Sequence, residues 1–221
     1  MRSKSPPVVM PGRFAFFDPG TAGWTTGGFR EWMDMESFSL ARSLLFVAGS
    51  LVFLRISWKP LHNPKCHGFY RFFAFEGILF LVLLNHPYWF ETWYAPRQIV
   101  SWLLLAASIL FVVQALHMLR TAGGSEARAG APENFAFENT VHLVTGGIYR
   151  YIRHPMYSSL MLLAWGAFFK HFSLVGLVGV AITTGLLIVA GGIEEKENLA
   201  FFGPAYLEYR KTTKMFLPFL I

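Results

Sequence analysis

Five apolar stretches, at about residues 38–58, 69–85, 98–119, 157–170 and 174–192, dictate what this chain can fold into. A helix rising 1.5 Å per residue needs about 20 mostly apolar residues to cross a bilayer. The first three stretches reach or approach that length. The fourth is short, roughly 21 Å as a helix. It is followed by His171-Phe172-Ser173 and then the fifth stretch, a pattern that predicts a helical hairpin packed inside a bundle. Gly176, Gly179 and Gly185 on the fifth stretch would let helices approach closely. Hydrophobic residues make up 54% of the 221 and charged residues 14%, with a mean hydropathy of +0.42. A soluble domain carries about 25% charged residues, and a globule of this size could not hide so much apolar surface from water. Disorder and a coiled coil are excluded as well. Cys66 is the single cysteine, so neither an internal disulfide nor a four-thiolate metal site can form. The expected fold is all-α, a polytopic membrane helix bundle of about five transmembrane helices ending in a hairpin.

Charge then suggests an orientation. In the junctions between successive apolar stretches, counting the end residues of each stretch, the cations number four (Arg55, Lys59, Lys65, Arg71), one (Arg97), four (Arg120, Arg128, Arg150, Arg153) and one (Lys170), and four more follow the last stretch (Lys196, Arg210, Lys211, Lys214). Lys and Arg concentrate in cytoplasmic loops, so the long 120–156 loop and the C-terminus are expected in the cytoplasm. Arg2, Lys4, Arg13, Arg30 and Arg42 dissent at the other end, mixed with Asp18, Glu31, Asp34 and Glu36. Membrane sorting also accounts for the net charge of +6 without nucleic-acid binding. Residues 1–37 lack an apolar core, unlike a cleavable signal peptide. They read as a tail that could lie at the interface through Phe14, Phe16, Phe17 and Trp24. No internal repeat is present. The chain therefore divides into a tail (1–37), three transmembrane helices (38–119) and a C-terminal core (120–221).

The unusual residues sit in the two stretches that flank the hairpin. The first, residues 142–157, begins at His142 and contains Gly146-Gly147, Tyr149, Arg153-His154-Pro155 and Tyr157. Paired glycines free the backbone, so amide N–H groups can converge on an anion. Pro155 suits the first turn of a helix, whose N-terminus carries partial positive charge. Arg153 and His154 add donors there, a favourable setting for a carboxylate or phosphate. The second stretch opens with Glu194-Glu195, expected just after the fifth apolar segment. A carboxylate pair at a helix C-terminus opposes the macrodipole, which favours a cationic partner. The hairpin would return these acids to the 145–157 loop. Glu76, in mid-segment, is either a functional group or an acid bonded to a neighbouring helix. Gln114 and His117 fall near the end of the third stretch. His62, His67 and His142 lack metal-ligand spacing, so no metal site is expected.

Four blocks occur in order: Leu143-Val-Thr-Gly-Gly-Ile-Tyr149, Arg153-His-Pro-Met-Tyr157, Glu194-Glu195, and Phe202-Gly-Pro-Ala-Tyr206-Leu-Glu-Tyr209 with a late Pro218. Together they resemble the isoprenylcysteine carboxyl methyltransferase family, over about residues 139–221. Phospholipid N-methyltransferases are more distant relatives of similar layout. The basic run Arg210-Lys211-Thr212-Thr213-Lys214 departs from the family's pattern, which bears on the acceptor rather than the cofactor. The resemblance implies an integral membrane methyltransferase with a cytoplasmic pocket for S-adenosylmethionine. His142, Gly147, Tyr149, His154, Pro155, Tyr157, Glu194 and Glu195 would bind the cofactor. Arg153 and Glu195 would be catalytic, Arg153 orienting a carboxylate acceptor and Glu195 taking the proton of an amine. The acceptor would be a lipid or isoprenylcysteine-type carboxyl group, or a phospholipid amine, arriving laterally from the bilayer. A sterol-reductase-like NADPH enzyme and a non-enzymatic membrane protein are the rival readings.

Overall fold

The computed structural model describes residues 16–18, 23–25, 28–124 and 140–217, with side chains from residue 40 onward. Phe14, Arg128 and Pro218, and the side chains of Phe16, Phe17 and Trp24, lie outside the described residues. The chain divides into two compact units, residues 1–48 and 49–221. In the first, β1 (Phe16–Asp18) and β2 (Gly23–Thr25) pair antiparallel, Phe17 opposite Trp24, and α1 (Gly28–Ile56) begins. The unit thus contains a strand pair within what reads in sequence as a tail.

The second unit is helical. It holds the end of α1, the short α2 (Trp58–Leu61), α3 (His67–Asn85), α4 (Pro96–Ala122), α5 (Pro155–Phe168), α6 (Leu174–Phe202) and α7 (Pro204–Thr212). All five apolar stretches fall on helices. Among the described residues three helical segments are long and apolar enough to cross a membrane: His67–Tyr88, Pro96–Ala122 and Leu174–Phe202. The 14 residues of α5 fall short of that. Leu103, Ile109 and Leu110 on α4, and Val178 and Ile182 on α6, are exposed, as lipid-facing side chains would be.

Proline and glycine set the boundaries. Pro96, Pro155 and Pro204 open α4, α5 and α7, where the missing N–H is harmless. Ser173 caps α6, its hydroxyl accepting from the Gly176 N–H at 3.0 Å. The helix runs ten residues beyond the expected end at 192, because Glu, Lys, Leu and Ala all favour helix. It stops at Gly203, whose φ of 59° favours glycine. Glu194 and Glu195 are therefore interior residues of α6, more than a turn from its end, and the macrodipole argument for them does not apply.

α5 and α6 form the expected hairpin, with α4 packed on α5 and α3 on α6. Ile78, Leu81, Ala164, Ala167, Phe168 and Val180 make one buried cluster. Close approach uses a glycine set only partly foreseen. Gly179 lies against Leu81, but Gly185 has open space beside it. Gly77 meets Thr183, and Gly166 meets Leu105. Polar side chains bind the helices where they touch: Ser101 Oγ donates to the Gly166 carbonyl at 2.7 Å, and Asn85 Nδ2 to that of Ala167 at 2.8 Å. Glu76 accepts from Ser50 Oγ at 2.6 Å, the bonded alternative of its two readings. Gln114 and His117 are exposed on α4.

Candidate functional site

At the end of the bundle where α5 begins, the chain folds back on itself. The Arg153 N–H donates to the Lys214 carbonyl at 2.8 Å, and the His154 N–H to that of Met215 at 3.0 Å. Ser158 Oγ donates to the Phe216 carbonyl at 2.6 Å, and the Tyr209 hydroxyl to that of Tyr149 at 2.6 Å. The C-terminal segment thereby fixes the 149–158 stretch from outside the hairpin. The two blocks separated in sequence meet here because α6 returns beside α5.

A cavity of about 230 Å³ opens at this end. Its walls carry charges of both signs together with aromatic rings. Tyr149, Arg153, His154, Pro155, Tyr157 and Glu194 line it, so six residues singled out in sequence share one surface. His142, Gly147 and Glu195 are not on that surface. His142 is exposed beside Gly124. Gly147 has φ of 58°, and a side chain there would strike Met118. Its glycine is thus explained by backbone conformation and close packing in the 3-10 turn Gly147–Arg150 rather than by access to a ligand.

The two adjacent acids have different surroundings. Glu195 is buried and receives Arg153 Nε at 2.5 Å, with Arg210 Nε at 3.0 Å from its other oxygen. Arg153 also donates through Nη1 to the Thr213 carbonyl at 2.5 Å. Both partners of this buried pair are thus committed to the protein. Glu194 projects about 100° away around the helix and retains a quarter of its side-chain exposure, 26%. His154 stands between the acids, Nδ1 at 3.7 Å from Glu194 and Nε2 at 3.4 Å from Glu195. Its ring stacks near Tyr157, with centroids 5.6 Å apart.

Several lining residues were not singled out from sequence. His67 and Arg71 are four apart on α3 and buried. In sequence they read as a histidine without metal spacing and a loop cation. Glu197, Asn198 and Phe202 continue the Glu194 face of α6. Their signal was available as i, i+3, i+4 spacing, but only a helix continuing past 192 gives it meaning. Tyr206 and Tyr209 complete the wall from α7; burial, foremost, raises both hydroxyl pKa values above the ordinary tyrosine range. Among the described residues no group of three or more His, Cys, Asp or Glu side chains could hold a metal ion.

Across this framework, residues 96–203 match the phospholipid methyltransferase family. The methyltransferase resemblance of the sequence blocks is borne out. The match begins upstream of those blocks and ends at 203, at the start of the fourth. A methanethiol S-methyltransferase of Pseudomonas deceptionensis is 24% identical over 191 residues, 86% of this chain and 63% of that protein. A methanethiol S-methyltransferase of Crocosphaera subtropica is 34% identical over 76 residues, 34% of this chain and 29% of that protein. Methanethiol S-methyltransferase 1 of Bradyrhizobium diazoefficiens is 28% identical over 71 residues, covering 32% and 24% respectively. The chain spans less than two thirds of the length of each of these relatives. No solved structure matches it.

Proposed function

We propose that this chain is an integral membrane methyltransferase that uses S-adenosylmethionine and methylates a small thiol. The observation carrying the reading is the cavity itself, where carboxylates, cations and aromatic rings surround one volume whose wall between Val112 and Phe202 falls within the matched residues. The donor set suits the cofactor. Its methionyl part bears an ammonium and a carboxylate, its sulfur is cationic, and its adenine is a flat ring. Glu194 would face the ammonium or sulfonium, Arg71 the carboxylate, and the rings of Tyr149, Tyr157 and Phe202 the remaining surface. When bound, the cofactor supplies an activated methyl group, so the chain's own work is positioning and exclusion of water.

Of the two acids expected at the cofactor, this assignment keeps Glu194 there and gives Glu195, with Arg153, a positioning role in place of a catalytic one, holding the loop, α6 and the tail together. The names of the relatives favour sulfur as the acceptor atom over the carboxyl acceptor expected from the sequence blocks. Phe75, Val112 and Leu160 give the cavity an apolar side suited to a small lipophilic acceptor entering from the bilayer. The cation-rich end would face the cytoplasm.

The test uses full-length protein in lipid nanodiscs with methyl-labelled S-adenosylmethionine. An alkanethiol, an isoprenylcysteine and a phospholipid extract are offered separately in single turnover. Label in the thioether is the expected result. Label in a methyl ester or a head-group amine would return the acceptor to the carboxyl or amine class. Binding of NADPH in place of S-adenosylmethionine would move the chain to the reductase-like reading.

A further inference from the structure

We propose that His67 is the base that takes the proton of the methyl acceptor and that Glu197 positions it; the inference rests on the thiol reading above. His67 opens α3, is 2% exposed and lines the cavity. Glu197 holds it at two points, one oxygen accepting from the His67 backbone N–H at 3.3 Å and the other lying 2.6 Å from the ring Nδ1. An ionised carboxylate can only accept, so Nδ1 carries the hydrogen and the neutral ring keeps its basic lone pair on Nε2. This carboxylate–histidine pair is tied to the backbone at the start of a helix: the backbone bond fixes the carboxylate and the carboxylate fixes the ring through Nδ1.

The chemistry requires such a group. A sulfonium methyl accepts an electron pair from a nucleophile, and a carboxylate or thiolate supplies it directly. An alkanethiol at neutral pH is mostly protonated, with cysteine's ordinary pKa of about 8.5 as a guide. The S–H bond must break as the new S–CH₃ bond forms. Its proton passes to His67 Nε2, and the electron pair of the old methyl–sulfur bond remains on the donor sulfur, which becomes a neutral thioether. The imidazolium left behind is stabilised by Glu197 and returns its proton to water. The other acids and bases near this end are otherwise placed: Glu195 is paired with Arg153 and Arg210, Glu194 is the acid given to the cofactor, and the His154 ring lies between those two acids with a nitrogen toward each.

The experiment separates this role from folding and from the thiol reading itself. His67→Gln and Glu197→Gln proteins in nanodiscs are compared with wild type on two acceptors, methanethiol and a nitrothiophenol that is already ionised at neutral pH. His67→Gln should lower kcat with methanethiol by roughly 100-fold or more and change kcat with the ionised thiol by less than about threefold. Glu197→Gln should fall between. In the unloaded protein, ¹⁵N spectra should show His67 as the Nδ1–H tautomer, and Glu197→Gln should mix the tautomers. Equal losses on both thiols would make His67 a structural residue, and an unchanged methanethiol rate would remove it as the base. Either outcome overturns the proposal while wild-type S-methylation stands. A wild type that binds the cofactor and methylates neither thiol would instead overturn the thiol reading.

Discussion

The two ends of α5 both bury charge, and they do so to opposite effect. Beyond its C-terminal end, Lys170 is fully buried. Its ammonium lies 3.3 Å from the centre of the Trp102 ring and donates to Gln98 Oε1 at 3.1 Å. Arg97 donates to the Lys170 carbonyl, and Gln98 Nε2 to that of Tyr88 at 2.8 Å. Every part of that cluster is answered by another part of the protein, with no carboxylate and no lining of the cavity. At the N-terminal end, acids and bases are shared between two arrangements. Arg153, Glu195 and Arg210 answer one another, and Arg153 joins Glu194, Arg71 and the His67–Glu197 pair in lining a cavity. Burial of charge alone therefore does not mark a site. Mixed charge around a cavity is what sets the N-terminal end apart.

The largest expected effect breaks the scaffold of the cavity end. Arg153→Ala removes the shortest partner of buried Glu195 and leaves it the half-exposed Arg210 and the more distant His154. Losing one partner of a buried pair costs about 3–5 kcal/mol. Thermal unfolding in detergent should register it as a drop in midpoint, together with lost tail docking. A midpoint unchanged within a degree would show that the pair does not hold the loop to α6. Tyr209→Phe is milder. It removes the hydroxyl donated to the Tyr149 carbonyl, worth about 1 kcal/mol, and the same melting experiment should resolve a small decrease.

The smallest effect at neutral pH belongs to Lys170→Met, and its signature is pH dependence. Burial lowers the Lys170 pKa from 10.5 to about 8. Between those values the unfolded chain binds a proton that the folded chain does not, so stability rises with pH across that window. The wild-type midpoint should show that rise and the Met variant should lack it. Cofactor affinity should be the same in both, since Lys170 does not line the cavity. A weakened affinity would join the two ends functionally and dissolve the contrast.

How much of this was legible in sequence differs by element. The five helices were, because apolar length and proline starts report directly on them. The hairpin was also legible, and with it the meeting of 149–157 and 194, since a short turn after a helix must return the chain. The choice between Glu194 and Glu195 was not. Helix geometry says that neighbours point about 100° apart, but which one faces a cavity depends on where α3 and α7 pack. His67 and Arg71 were hidden for the same reason: α3 reaches the cavity through its packing on α6 and α5. His142 and Gly147 were drawn in by adjacency in the motif, yet one is exposed and the other serves a left-handed backbone position against Met118.

The most direct test of the account is equilibrium binding of labelled S-adenosylmethionine to the full chain in nanodiscs, measured for wild type, Glu194→Gln and Lys170→Met. Wild type should bind it in preference to NADPH, and Lys170→Met should match wild type. Glu194→Gln should bind more weakly by roughly 10- to 100-fold, the value of one hydrogen bond to a charged group at about 1.5–3 kcal/mol. Equal affinity in wild type and a correctly folded Glu194→Gln would contradict the assignment of that cavity to the cofactor.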